Sequence, residues 1–302
     1  MSPTPAARVD VRKTYKLYIG GTFPRSESGR SYAVYGASRT RPFLANAAQG
    51  SRKDARDAVV AARAAAPGWA GATAYNRGQV LYRVAEVMTG RHAQLTKEVA
   101  VGEGLAPAKA SALVDQAIDR WVWYAGWTDK LAQVLGGLNP VAGSFFNISA
   151  PEPTGVVAAL APQRSSLLGL VSVLAPIIVS GNTAVVIASH ERPLPAVTLG
   201  EVLATSDVPA GVVNLVTGDP AEIAPWLASH RDVNAIDLTG AADAAGVDWA
   251  ALEAAAADSV TRVLRPAGSG AEAVEPDFGL APGLDRVRAF LETKTVWHPK
   301  GR

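Results

Sequence analysis

Two aspartates, Asp237 and Asp243, stand on either side of Thr239 and Gly240, and paired acids at close spacing are the raw material of general acid–base chemistry. The competing reading is structural: Asp243 opens an alanine-rich run, where an acid is explained by capping and the helix dipole. Arg164, with Gln163, Ser165 and Ser166 beside it, could gather an anion, although a solvated loop is the blander alternative and the one favoured. The four histidines, His92, His190, His230 and His298, are nowhere three or four residues apart. No helix face therefore offers a metal two imidazoles, and they read as surface or capping residues. Cysteine is absent from the 302 residues, which removes thiol nucleophiles, thiolate metal sites and disulfides together.

The chain is longer than a usual single domain of roughly 100–200 residues, so one large domain or a domain with an appendage is expected. Its 48% hydrophobic and 19% charged residues describe a globular protein with apolar mass for a sizeable core. The 29 basic residues are interspersed with 27 acidic ones and form no long basic run, so the electrostatic footprint of nucleic-acid binding is missing. No apolar stretch reaches the roughly 18 residues that a membrane-crossing helix needs. The opening MSPTPAARVDVRKTYK has no apolar signal core. The expectation is a cytoplasmic chain with neither nucleic acid nor membrane as partner.

The elements that position these residues begin with YKLYIGGTFPRSESGRSYAVYG, whose alternation around glycines predicts short strands joined by turns. Ser51, followed three residues later by Asp54, forms a capping box with a shortened acid and predicts a helix over 51–66 that stops at Pro67. A helix over 73–100 places Leu81, Val84, Ala85 and Met88 on one face, and another over 107–135 presents Ile118, Trp121, Val122 and Ala125. Trp121, Trp123, Tyr124 and Trp127 on that helix read as core packing rather than as a stacking platform. GGLNP then signals a turn before SFFNIS, a strand of a hairpin.

From residue 154 onward strands and helices alternate. TGVVAALAP, GNTAVVIAS, GVVNLVTGD, VNAIDLTG and TRVLRP read as strands; helices are predicted over 166–180, 194–206, 221–229 and 241–257. Continuous apolar strands between helices predict an α/β fold with a parallel sheet covered on both faces, whose ligands bind beyond the carboxyl ends of the strands. RPAGSGAEAVEPDFGLAPGL reads as a linker, followed by a short helix over 284–292 and a closing strand.

The blocks SRKDARDAVVAARAAAPGW, SFFNISAPEPTGVVAALAP, SGNTAVVIAS, VPAGVVNLVTGD and SHRDVNAIDLTG, in this order and spacing, resemble the aldehyde dehydrogenase superfamily. The resemblance implies a Rossmann-type nucleotide-binding-like core over 154–266 with strands and helices of 1–135 packed on it. It also implies a small β oligomerisation element, made of a hairpin over 136–153 and a helix and strand over 284–302. The linker over 267–283 stands where the family has its catalytic domain, as in the degenerate C-terminal module of two-module aldehyde dehydrogenases.

The family's reaction uses a cysteine thiolate on the aldehyde carbonyl, hydride transfer to nicotinamide, and a glutamate base that activates water. This chain has no cysteine. Arg265 aligns where that glutamate stands, and a guanidinium takes no proton from water. Gln163, Arg164, Ser165 and Ser166 replace the family's Trp-Asn-Phe-Pro, whose asparagine stabilises the oxyanion. Ile187, Ala188, Ser189 and His190 replace Lys-Pro-Ser-Glu, whose lysine and glutamate hold the adenosine ribose, and Ala245 stands for a glycine. Pro162, Ser189, Gly218, Thr239 and Gly240 survive from the cofactor pattern. Turn geometry accounts for the last three, and vestigial NAD or NADP binding is the alternative; no cofactor is the expectation.

In TKTVW, Thr293, Thr295 and Trp297 share one face and Lys294 and Val296 the other, a strand whose lysine guards an edge. With nothing after it to pair with, the tail is expected to add to a sheet of another chain, and Phe145, Phe146, Thr295, Val296 and Trp297 are its expected contact residues. The resulting reading is a pseudoenzyme that assembles with a full-length aldehyde dehydrogenase subunit as structural or regulatory partner, with self-association a second arrangement. The alternatives are an NAD(P)-dependent oxidoreductase acting on aldehydes and a nucleotide-binding sensor.

Overall fold

In a computed structural model that describes residues 13–268 and 273–300, three short strands come first: β1 (Thr14–Tyr15), β2 (Ser31–Tyr35) and β3 (Phe43–Ala48), in the order β1-β3-β2. Most of the opening MSPTPAARVDVRKTYK, and residues 269–272 of the expected linker, lie outside the described residues. Helices α1 (Arg52–Gly71), α2 (Ala74–Gly90), α3 (His92–Glu103), α4 (Pro107–Ala125) and α5 (Leu131–Leu135) follow. The hairpin strands are β4 (Gly137–Asn139) and β5 (Phe145–Pro153). The alternating half then runs β6 (Val156–Leu160), α6 (Leu168–Val179), β7 (Thr183–Ile187), α7 (Leu194–Ala204), β8 (Val213–Val216), α8 (Pro220–Ala228), β9 (Ala235–Asp237), α9 (Trp249–Ala257) and β10 (Arg262–Leu264). Helix α10 (Asp285–Ala289) and strand β11 (Leu291–Pro299) close the chain.

Strands β6 to β10 form one parallel sheet in the order β10-β9-β6-β7-β8. Its side chains alternate between two cores. Val157, Ala159, Ala184, Val186 and Leu215 join the residues of α2, α3, α4, α6 and α7, whereas Val156, Ala158, Val185, Ile187 and Val216 join those of α1, α8 and α9. Burial on both faces is why these strands read as unbroken apolar runs. Every residue of α6 is buried, because this helix lies between the sheet and α4. Trp121 is fully buried in the same core, with the Trp123 and Trp127 rings 5.5 Å apart, so the tryptophans are packing residues.

Local signals misjudged several boundaries. Ser51 Oγ accepts from Lys53 and Asp54 N–H while Asp54 accepts from Ser51 N–H, so the capping box starts α1 as expected. The helix does not stop at Pro67, however, but continues to Gly71. Beyond the proline, buried Trp69 donates its indole N–H to the Ile178 carbonyl at 2.9 Å, an anchor that outweighs the lost backbone bond. The run over 73–100 breaks at Arg91, whose N–H caps α2, and the run over 107–135 is interrupted after Ala125. Of the helix over 241–257, only α9 is α-helical; Thr239–Asp243 is a 3-10 turn, and Gly246 at φ +74° ends the loop before Asp248 caps α9.

The tail is the larger correction. Strand β11 pairs antiparallel with β5 of the same chain along its whole length, from Leu291 opposite Pro153 to Pro299 opposite Phe145, giving a sheet in the order β11-β5-β4. Long-range contacts invisible to local patterning turn it back. Phe290, fully buried, accepts at its carbonyl from Asn182 Nδ2 at 2.8 Å and from Thr154 N–H at 3.2 Å. No helix among the described residues is long and apolar enough to cross a membrane.

A buried carboxyl ties β1 to α3 and α7. Glu98 Oε1 accepts from Tyr15 at 2.9 Å, Thr198 at 2.9 Å and Gln94 at 3.1 Å, while its other oxygen is buried without a partner. Burial pushes Glu98 above the ordinary carboxylate range against those three hydrogen bonds, and burial and the Glu98 charge push Tyr15 upward as well. Because the folded-state value is raised, the native state binds the proton more tightly than the unfolded chain, and stability drops as pH climbs from the unfolded carboxyl value through the raised one. Urea unfolding of wild type and Glu98→Gln over this range checks it: wild type is expected to lose stability relative to the variant as pH increases, and a pH-independent difference would refute the assignment.

Candidate functional site

The loops leaving β6, β7, β8 and β9 gather at the carboxyl edge of the parallel sheet, where Pro162, Ser189, Gly218, Thr239 and Gly240 all lie. Each has a partner within the fold. Ser189 Oγ donates to the Gln163 carbonyl at 2.9 Å, and Pro162 packs so closely that a Cβ on Gly169 would meet its ring at 2.9 Å. Gly218, at φ +140°, accepts at its carbonyl from the His190 ring, 2.9 Å from Nδ1, and a Cβ there would lie 2.9 Å from Gly50 N. Thr239 N–H donates to Asp237 Oδ1 at 2.9 Å. An added Cβ on Gly240 would fall 2.1 Å from the Ala161 carbonyl oxygen, so backbone packing alone demands glycine there.

The residues that differ from a nucleotide cradle are also engaged. Gln163 folds across the edge, donating to the Ala161 carbonyl at 2.7 Å and accepting from His190 N–H at 3.0 Å. The His190 ring stacks on Tyr32 with centroids 4.7 Å apart, and Ile187, fully buried, offers no hydrogen-bonding group to a ribose. The acids Asp237 and Asp243 serve different arginines. Asp237, with no solvent exposure, pairs with Arg286 of α10 at 2.5 Å, and Asp243 pairs with Arg164 of the β6–α6 loop at 2.5 Å. Neither is left as a free acid or base, and no acid–base pair is formed.

The segment that succeeds residue 272 closes over this edge. Glu275 accepts from the backbone N–H groups of Gln163 and, at 3.3 Å, Arg164. Behind it, Arg120 of α4 is 8% exposed and donates to the Phe278 and Leu280 carbonyls at 2.8 Å each and to Ser172 Oγ at 2.6 Å. Burial pushes the Glu275 carboxyl upward, against the two backbone N–H donors. Composition marks this stretch as a linker, but nothing in its local pattern announces Glu275. Arg120 was findable, as a charged residue on the apolar face shared by Trp121 and Tyr124.

The remaining candidates disperse. Arg265, just past the carboxyl end of β10, donates through Nε to both oxygens of Glu253, at 2.8 and 3.0 Å. His92 contacts Asp115, His230 Nδ1 accepts from Asp232 N–H, and His298 lies on β11, so no cluster that could hold a metal forms among the described residues. Phe145, Phe146, Thr295, Val296 and Trp297 do come together, on the three-stranded sheet. Phe145 and Trp297 meet edge to face at 5.8 Å, Ser149 and Thr295 hydroxyls at 2.9 Å, and Lys294 pairs with Glu152 at 3.0 Å.

Residues 23–273 match the model of the aldehyde dehydrogenase family. Among curated proteins, cytosolic aldehyde dehydrogenase 1 of Elephantulus edwardii is 29% identical over 86% of this chain and 51% of its own length. Retinaldehyde dehydrogenase 3 of Mus musculus is 31% identical over 86% of this chain and 50% of its own length. The chain thus spans about half the length of the curated relatives it matches. A betaine aldehyde dehydrogenase from Staphylococcus aureus in complex with NAD+ superposes with a TM-score of 0.76 at 23% identity, over 82% of this chain and 49% of that one, a likeness of fold.

The close approach at Gly240 yields a direct expectation. Gly240→Ala should lower the unfolding free energy by about 3 kcal/mol through steric overlap. Chemical denaturation should give the same loss with and without NAD or NADP; a loss confined to the nucleotide-bound protein would return the residue to cofactor binding.

Proposed function

This chain belongs to the aldehyde dehydrogenase family, and we propose that within it the chain acts as a noncatalytic subunit that assembles with a full-length aldehyde dehydrogenase as structural or regulatory partner. The observation that carries this reading is the β11-β5-β4 sheet. Leu138, Ile148 and Val296 are in register across it, exposed by 66%, 47% and 47%, with Phe146 on the same face and Phe145 and Trp297 on the other. The outer edge of β11 has no strand partner among the described residues. A half-exposed aliphatic row beside an open edge is suited to burial against another subunit and to strand addition.

Several features support the noncatalytic half of the proposal. The chain contains no cysteine, Arg265 occupies the position of the family's base and is committed to Glu253, and Ile187 and His190 leave the ribose without its usual partners. The internal hydrogen bonds of Gln163, Ser189 and His190 at the carboxyl edge of the sheet support the same reading. The role is therefore one of surfaces, exercised in a cytoplasmic assembly.

Co-expression with a full-length family member from the same genome should yield a complex that survives size-exclusion chromatography. Ile148→Asp and Val296→Asp, at positions already exposed in the free chain, should leave its unfolding midpoint unchanged and weaken the complex at least about tenfold by burying a charge. A chain that stays monomeric with every such partner sinks the proposal, as does a purified chain that binds NAD or NADP tightly and turns over an aldehyde by itself. Complexes of the chain with itself alone would recast it as a self-associating protein.

A further inference from the structure

The hydrogen bonds of Glu275 have a geometry of their own. Oε1 takes the Gln163 N–H and Oε2 takes the Arg164 N–H, so two successive backbone donors grip the two oxygens of one carboxylate. Such a fork fits a planar carboxylate. It lies at the carboxyl edge of the sheet, where the loop leaves β6, the place at which parallel α/β sheets receive ligands. The Arg164 guanidinium turns instead to Asp243. Glu275 is thus held chiefly by the two amides.

We propose that the Gln163 and Arg164 amides form a carboxylate-binding site that the chain fills with its own Glu275, and that a small organic carboxylic acid takes the site when the Glu275 segment lifts. Two observations make the exchange physically reasonable. First, the anchors of this segment lie on one side of Glu275: Arg120 holds the Phe278 and Leu280 carbonyls, and Tyr124 reaches the Gly283 carbonyl at 3.4 Å. On the other side the hold among the described residues is a bridge between Ala267 and Val274, and Val274 itself is 56% exposed. Residues 274–277 can move while Arg120 keeps its grip.

Second, a cavity of about 390 Å³ adjoins Glu275, with Leu105, Leu113 and Leu168 among its walls. Lys109, also in the lining, is exposed and makes no ion pair among the described residues. The leucine walls beside Glu275 and Arg164 suit an acid with a short hydrocarbon body, its carboxylate replacing that of Glu275, while Glu103, Asp243 and Asp277 line the same cavity and Lys109 and Arg164 offset part of their charge. The tethered glutamate competes at an effective concentration on the order of millimolar. The free acid must therefore bind against a resident competitor, and removing the competitor should reveal the site. This inference does not depend on any partner subunit.

The test is titration of the full chain, as wild type, Glu275→Ala and Glu275→Gln, with butyrate while the Gln163 and Arg164 amide resonances are followed by nitrogen-edited NMR. In Glu275→Ala these two amides should shift saturably with an apparent Kd at least about tenfold below that of wild type, the factor set by loss of the tethered competitor. Glu275→Gln, nearly isosteric and able to keep one N–H bond, should fall between them and supplies the readout if the alanine variant is poorly folded. Equal responses of wild type and both variants would overturn the proposal, as would no saturable shift in either variant. Chloride shifting the same amides as strongly as butyrate would overturn the carboxylate assignment.

Discussion

Backbone and side-chain polar groups at the carboxyl edge of a buried parallel sheet must find partners, and here the chain supplies them from within. That constraint organises the functional half of the molecule. Gln163 spans Ala161 and His190, Glu275 caps two amides, Asp237 holds Arg286, and Arg120 holds two carbonyls of the covering segment. All but the Gln163 to Ala161 bond join segments distant in sequence. Together they turn the edge where a nucleotide would lie into a mostly satisfied surface, with Glu275 as its most exchangeable member.

The same constraint explains the buried ion pair. An aspartate with no solvent exposure would carry a large desolvation cost alone, and Arg286 offsets it while docking α10 onto the end of β9. Helix α10 in turn delivers Phe290 into the core and sends β11 back along β5. Placement of the small sheet thus depends on polar bookkeeping at the carboxyl edge of the large one. The surfaces proposed to meet a partner and the edge proposed to hold a carboxylate are connected through α10.

Legibility varied with the range of the controlling interaction. The five strands of the main sheet and the order of the intervening helices could be read because burial on both faces imposes apolar runs whatever the partner. Pro67 misled because its cost is local and Trp69's anchor is 109 residues away. The apparent helix over 241–257 misled because alanine is permissive: its composition suits a helix, yet the start waits for Asp248 to cap it. The five surviving cofactor-pattern residues lie at the strand ends, whereas Arg286, which bonds Thr239, and Tyr32 and Glu275, which engage His190 and Gln163, had no local signature.

By itself the sequence determined the α/β class, the family resemblance and the absence of a thiol, since these depend on residue identity and short-range periodicity. Only the tertiary structure decided that the tail pairs with β5, that Gly240 is required by Ala161, and that Glu275 sits on the Gln163 and Arg164 amides. Those facts belong to pairs of residues far apart in the chain. Their energies come from steric exclusion and from satisfying buried polar groups, and neither leaves a mark on the residues nearby until the fold brings the partners together.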